Sequence, residues 1–250
     1  RDFCLSRGLG DVYKRQQKGE SLLAKRLRSD NAHLPELAAL EEAATGSPLI
    51  AGNKLTLLND GPETVAAMIA AISNAQDHIN LETYIFNQDA LGKEFAELLM
   101  QKQRAGVQVN IIYDSIGSIN TPPEFFQQLR DSGINLLEFN PVNPFRQLFS
   151  WHMNNRDHRK ILVVDGKIAF TGGINITSDY SSRSLFRLRK KDNVDLGWRD
   201  THIQVEGPAV AAFQSLFMQT WIKHKADDLA ARNYFPVSYT HLRAHETGRN

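Results

Sequence analysis

The chain has 250 residues, 42% hydrophobic and 23% charged, with 29 basic against 28 acidic side chains and a formal charge of +1. That length permits one large domain or two small ones, and the composition is ordinary for a globular protein. The near-neutral balance excludes polyanion binding driven by net charge, and the single cysteine, Cys4, excludes a disulfide framework.

Arg1 to about Gln16 shows no hydrophobic period, and neither does Val237 to Asn250. Both stretches resemble adapter-derived tails translated as protein, so residues 1–16 and 237–250 are expected to be non-native. They hold six basic and three acidic residues; without them 23 and 25 remain, a formal charge of −2. Cys4 leaves with the first tail, and a body without thiols fits a reducing compartment. A chain clipped at both ends is expected to be part of a longer one. No signal peptide is legible, and the longest apolar run, near Val65–Ile72, is far short of a membrane span.

Residues 17–48 form a charged, Ala/Leu-rich segment expected to be helical, with Leu22, Leu23, Leu27, Leu37 and Leu40, ended by Gly46-Ser47-Pro48. Residues 49–236 are expected to be one domain, and in it a β-α alternation begins. Lys54–Asn59 predicts a strand. Glu63–Gln76 predicts a helix, with Val65, Met68, Ile69 and Ile72 on one face, Asp60 as cap and Pro62 in the first turn. His78–Phe86 predicts a strand, Leu91–Arg104 a helix stopped by Gly106, and Val107–Tyr113 a buried strand. Pro122–Asp131 predicts a helix and Ile134–Phe139 a strand. Strands separated by such helices argue for parallel βαβ units.

The pattern then changes. Asn140–Asp157 is long and irregular, the kind of connection that tends to carry function. Ile161–Val164 and Lys167–Phe170 flank Asp165-Gly166, a strong hairpin signal. The sheet is therefore expected to be mixed, parallel first and antiparallel after. Thr201–Val205 predicts a further strand, and Pro208–Lys223 a helix with Val210, Phe213, Phe217 and Trp221 on one side.

His158 and Lys160 stand two apart at the head of the run Ile161–Val164. In extended backbone such residues project to the same side, while Arg159 points away. An imidazole can attack phosphorus and form a phosphohistidine, and a neighbouring ammonium can hold a phosphate oxygen. Gly172, Gly173 and Asn175 follow the hairpin return; the glycines would let backbone amides approach a phosphate and Asn175 would donate a hydrogen bond. Asp200 is a candidate carboxylate for orienting His158, or simply a surface residue at a strand start. Arg183, Arg187, Arg189, Lys190 and Lys191 lie among Leu185, Phe186 and Leu188, a run that suits an anionic membrane surface or a solvated loop. His152 could line a substrate path. His33, His78, His202 and His224 read as structural, and no residue set has metal-site spacing.

The spacing of His158, Lys160 and Asp165, followed by Gly172, Gly173 and Asn175, resembles the H-x-K-x4-D and G-G-x-N pattern of the phospholipase D superfamily. Arg156 through Asn175, then Trp198 to His202 and Val205 to Val210, resemble bacterial cardiolipin synthases, as do Leu57 to Gly61 and Glu82 to Phe86. The resemblance covers about residues 50–225. It implies an αβα sandwich with a mixed sheet, one of two halves, each carrying such a motif. It also implies a catalytic set of His158 as nucleophile, Lys160 and Asp165, and phosphate binding by Lys160, Gly172, Gly173 and Asn175. Asp165 stands apart within that set. Seven residues from His158 is the wrong parity for one strand face, and it occupies the turn, so its role reads as mainly structural.

The activity so implied is transfer of a phosphatidyl group from phosphatidylglycerol, through phospho-His158, to make cardiolipin. The alternatives are a phospholipase D or nuclease using water, and an inactive half serving as an interaction module. The chain departs from the family in having no second H-x-K. Its acid/base partner would come from a missing C-terminal half or a second copy. The expected partners are an anionic phospholipid and a membrane surface, with no cofactor, no metal and no nucleic acid. The expected location is the bacterial cytoplasmic membrane, peripherally or through an anchor outside this segment.

Overall fold

The structure, a computed structural model, describes residues 34–46, 49–141, 156–180, 200–224, 229 and 232–236. Both suspected tails, the leucines before residue 34, His33, the Trp151–Met153 stretch and the basic run from Arg183 to Lys191 lie outside the described residues.

The first described element is helix α1 (Leu34–Thr45), whose Leu37 and Leu40 remain exposed. Strand β1 (Lys54–Leu58) leads into α2 (Gly61–Ser73). Asp60 caps that helix by accepting from Glu63 N at 3.0 Å, and Glu63 returns the contact by accepting from Asn59 N at 3.0 Å. The first contact satisfies a backbone donor that a helix start leaves unpaired, and the second fixes the chain just before the cap. Then follow β2 (His78–Thr83), α3 (Ala90–Arg104), β3 (Gln108–Asp114), α4 (Pro123–Asp131) and β4 (Asn135–Phe139). After the long connection come β5 (Ile161–Val164), β6 (Ile168–Gly172), a short 3-10 turn (Ser178–Tyr180), β7 (His202–Glu206) and α5 (Val210–His224).

The strands form one seven-stranded sheet in the order β1-β7-β6-β5-β2-β3-β4. β2, β3 and β4 pair in parallel, and every other pairing is antiparallel. The sheet is thus mixed in the expected sense. One placement differs from a simple βαβ run: β1 and β2 point the same way, yet β7, β6 and β5 stand between them. β1 pairs with the last strand instead. Nothing local in Lys54–Leu58 encodes that choice.

Alternation on β2 splits the sheet into two faces. Ile79 and Leu81 join Met68 and Ile72 of α2, Phe95 and Leu99 of α3 and Phe125 and Leu129 of α4 in the larger core. Tyr113 stacks on Phe126 with centroids 3.8 Å apart. The opposite face packs under α5, whose Phe217, Met218 and Trp221 cover Ile112, Leu137 and Phe139. Helices on both faces make the fold an αβα sandwich.

Candidate active site

The segment Arg156–Lys160 leads into β5 but lies outside its ladder, which starts at Ile161. Side chains still alternate along it. Lys160 Nζ lies 3.2 Å from His158 Nδ1 and donates to the His158 carbonyl at 2.6 Å. Arg159 turns the other way. It grips Asp157 through Nε and Nη2 at 2.9 and 2.7 Å and donates to Thr220 Oγ1 of α5 at 2.9 Å. The segment is also anchored by its backbone: Asp157 N donates to Asp114 Oδ2 at 3.2 Å.

His158 is exposed, and among the described residues its Nε2 makes no hydrogen bond. Lys160 is buried at 5% exposure. Burial pulls its pKa down to about 8, against the opposing pull of Asp200 and Asp157. At neutral pH it is therefore mainly an ammonium, held in a poorly hydrated place beside an exposed imidazole. Such an ammonium is ready to exchange its carbonyl partner for a phosphate oxygen.

The tyrosine that follows β2 forms the wall of this pair. The Tyr84 ring lies 4.6 Å from the His158 ring, centroid to centroid, tilted by 48°. Lys160 Nζ sits 5.3 Å from the same ring's centroid. Asn175, 4% exposed, accepts from Ile85 N at 3.2 Å and donates to the Tyr180 hydroxyl at 3.3 Å. It ties the exit of β2 to the return after β6, next to Tyr84.

Gly173 serves the site differently from the amide cradle expected of it. Gly173 N already donates to Thr201 O at 3.0 Å, while Gly172 stands opposite His202 in the β6–β7 register, in the kind of pair that exchanges no backbone hydrogen bonds. What the two glycines supply is space. A Cβ on Gly173 would overlap the Asp200 carboxylate, and one on Gly172 would overlap the Thr201 carbonyl and crowd the His202 ring.

Asp200 therefore reaches the site by packing on Gly173, and its charge favours the protonated forms of Lys160 and His202. It accepts from Thr201 N at 2.9 Å, and among the described residues it makes no hydrogen bond to His158. The expected orienting contact is thus absent from this arrangement.

Asp165 is not brought to the pair. It lies at the far end of β5 from Lys160, in the turn, with φ 52°. Its carboxylate accepts from the backbone N–H groups of Gln76, Asp77 and His78 at 2.8–3.2 Å. With both oxygens so engaged, and a strand's length between, it cannot touch a phosphate at His158.

Two further sets were not singled out from the sequence. His202 is 1% exposed, and its Nδ1 faces Ile174 N at 3.4 Å. Burial, reinforced by Lys160 and opposed by Asp200, lowers its pKa to about 4, so the ring is neutral at pH 7. Glu82 is 1% exposed on the face of β2 that meets α5. Burial first, then the hydrogen bond and charge of Asp157, push its pKa up to about 9, with Arg159 opposing. Arg159 Nη2 is 2.9 Å from Glu82 Oε1 but off the line of a hydrogen bond. Asp157 is instead the carboxylate that favours the neutral form of Glu82. Burial would raise Asp157 too, but hydrogen bonds from Arg159 and Glu82 outweigh it and hold that carboxylate at about 2. A polar residue inside a strand is visible in the sequence; its pairing with Asp157, the residue just before His158, is not. Among the described residues no group of three or more His, Cys, Asp or Glu is placed to hold a metal ion.

Residues 68–206 match the family model described as cardiolipin synthase, PLD-like domain. The chain is 31% identical over 234 residues to a cardiolipin synthase of Halalkalibacterium halodurans, covering 93% of this chain and 44% of that protein. It is 34% identical over 224 residues to cardiolipin synthase 1 of Bacillus cereus, covering 87% and 42%. It thus spans less than half the length of these curated relatives. Among solved structures, NucT from Helicobacter pylori superposes with a TM-score of 0.52 at 15% identity, over 69% of this chain and 98% of that one, a likeness of fold. The family match covers more than half of the chain and includes His158, Lys160 and Asn175, and the chain belongs to the cardiolipin synthase family of PLD-like domains.

Proposed function

We propose that this chain forms one catalytic half of a phosphatidyltransferase that makes cardiolipin from phosphatidylglycerol. The observation that carries the reading is the His158–Lys160 pair: an exposed imidazole 3.2 Å from a buried ammonium. In the first step the Lys160 ammonium turns from the His158 carbonyl to a phosphate oxygen. His158 Nε2 attacks phosphorus, the phosphorus–oxygen bond to the glycerol headgroup breaks, and glycerol leaves with a proton. In the second step a hydroxyl of another phosphatidylglycerol attacks the phosphatidyl-histidine, gives up its proton, and releases cardiolipin and free His158. Lys160 and the Asn175 amide favour the charge that develops on the phosphoryl oxygens. The acid that protonates glycerol and the base that takes the second proton are supplied by a second H-x-K motif, in another half or another copy.

The substrate headgroup is met at a membrane surface. Attachment is peripheral or through an anchor outside this segment; no described helix is long and apolar enough to cross a membrane.

The test is incubation of the two-site protein with phosphatidylglycerol, with and without His158→Ala. Cardiolipin and glycerol in equal amounts, lost in the variant, are the expected products. Phosphatidic acid without cardiolipin would replace the transferase reading with a hydrolase. Turnover unchanged by His158→Ala would reduce this half to an interaction module.

A further inference from the structure

Tyr84 is held from behind more firmly than a surface aromatic needs. Its carbonyl accepts from Ser118 Oγ at 3.4 Å, and a Cβ on Gly117 would overlap that carbonyl. The next two amides are also fixed: Ile85 N donates to Asn175 Oδ1 at 3.2 Å and Phe86 N to Ser118 Oγ at 3.0 Å. From this mount the ring faces both His158 and Lys160. An exposed imidazole on a segment outside the sheet ladder is otherwise free to change rotamer.

We propose that Tyr84 is a positioning residue for phosphoryl transfer: its ring sets the His158 imidazole and holds the Lys160 ammonium against it. The inference rests on the reading of His158 as the nucleophile. The ring's π-face is the working part, through edge or tilted packing on the imidazole and attraction for the cation. The hydroxyl is not required.

That assignment separates two variants. Tyr84→Phe keeps the face and should hold kcat within about two-fold of wild type. Tyr84→Leu keeps apolar cover without a π-face and should lower kcat about ten-fold with KM little changed, since small misplacement of a reacting group is costly. Loss of the cation–π contact should also move the basic limb of the pH profile down by roughly half a unit. In this chain, 15N NMR should show an altered His158 tautomer balance in the Leu variant and not in the Phe variant.

Kinetics on phosphatidylglycerol in mixed micelles would be run beside His158→Ala. Wild-type kcat and unchanged His158 resonances in Tyr84→Leu, with His158→Ala inactive, would overturn the proposal. So would equal losses in the Phe and Leu variants. Activity surviving in His158→Ala would overturn the parent reading instead. If Tyr84→Leu does not fold, Tyr84→Met is judged by the same criteria.

Discussion

Replacing Asp165 separates a framework role from a catalytic one. Its carboxylate accepts from three successive backbone amides, of Gln76, Asp77 and His78. Hydrogen bonds to a charged group contribute about 1.5–3 kcal/mol each, but this site is partly exposed, so about 1 kcal/mol each is the better figure. Alanine at φ 52° adds roughly 1 kcal/mol of left-handed strain. Asp165→Ala should therefore destabilise the fold by about 4 kcal/mol. For a chain of this size that is a fall in Tm of about 8–16 °C. Asp165→Asn tolerates the backbone and keeps one acceptor oxygen, so its cost should be about 1–2 kcal/mol. Thermal unfolding followed by circular dichroism measures both. Turnover at 20 °C, well below either transition, should stay within about three-fold of wild type in Asp165→Asn, since only the fold depends on it. An Asn variant with an unshifted Tm and turnover reduced by about a thousand-fold would refute the framework assignment.

Two further predictions concern protons. Lys160 acts as a cation and loses its proton as pH rises through about 8, so kcat/KM should fall above that point. Its folded pKa lies below the unfolded value of 10.5, so the unfolded chain binds more protons between about 8 and 10.5, and stability should rise with pH across that window. Lys160→Met should abolish turnover and remove that rise. Glu82 has the opposite sign: its folded pKa, about 9, lies above the unfolded value of 4.5. Between those values the folded state holds a proton that the unfolded state has released, so stability should fall as pH rises. Glu82→Gln mimics the protonated form, and its advantage over wild type in urea unfolding should grow from pH 5 to pH 8. A constant difference would show that Glu82 ionises normally.

Much of the fold is legible in the residues themselves. The Asp60 cap, the apolar stripe of α2 and the Asp165-Gly166 turn are local signals, and local physics decides them. Side-chain alternation likewise put Lys160 beside His158 and turned Arg159 toward α5. What was not legible depends on contacts distant in sequence. Gly173 reads as an amide donor, but Thr201, the residue before β7, takes its N–H. Tyr84 looked like one more strand residue because nothing in Glu82–Phe86 marks where the ladder ends. Glu82 becomes a proton holder only when Asp157, from another strand's approach, is laid beside it.

The position of β1 has a consequence for how the chain is made. β1 leaves the ribosome well before its partner β7, and the Lys54–Glu206 pair spans 152 positions. At roughly 5–20 residues per second, that partner arrives about 8–30 s later. Meanwhile β2, β3 and β4 need only short connections to pair, and loop closure favours them first. β1 carries Leu55 and Leu57, which stay 65% and 54% exposed even in the finished sheet. Until β7 is made it is an unpaired, leucine-bearing strand tethered to a growing domain, open to pairing with another chain.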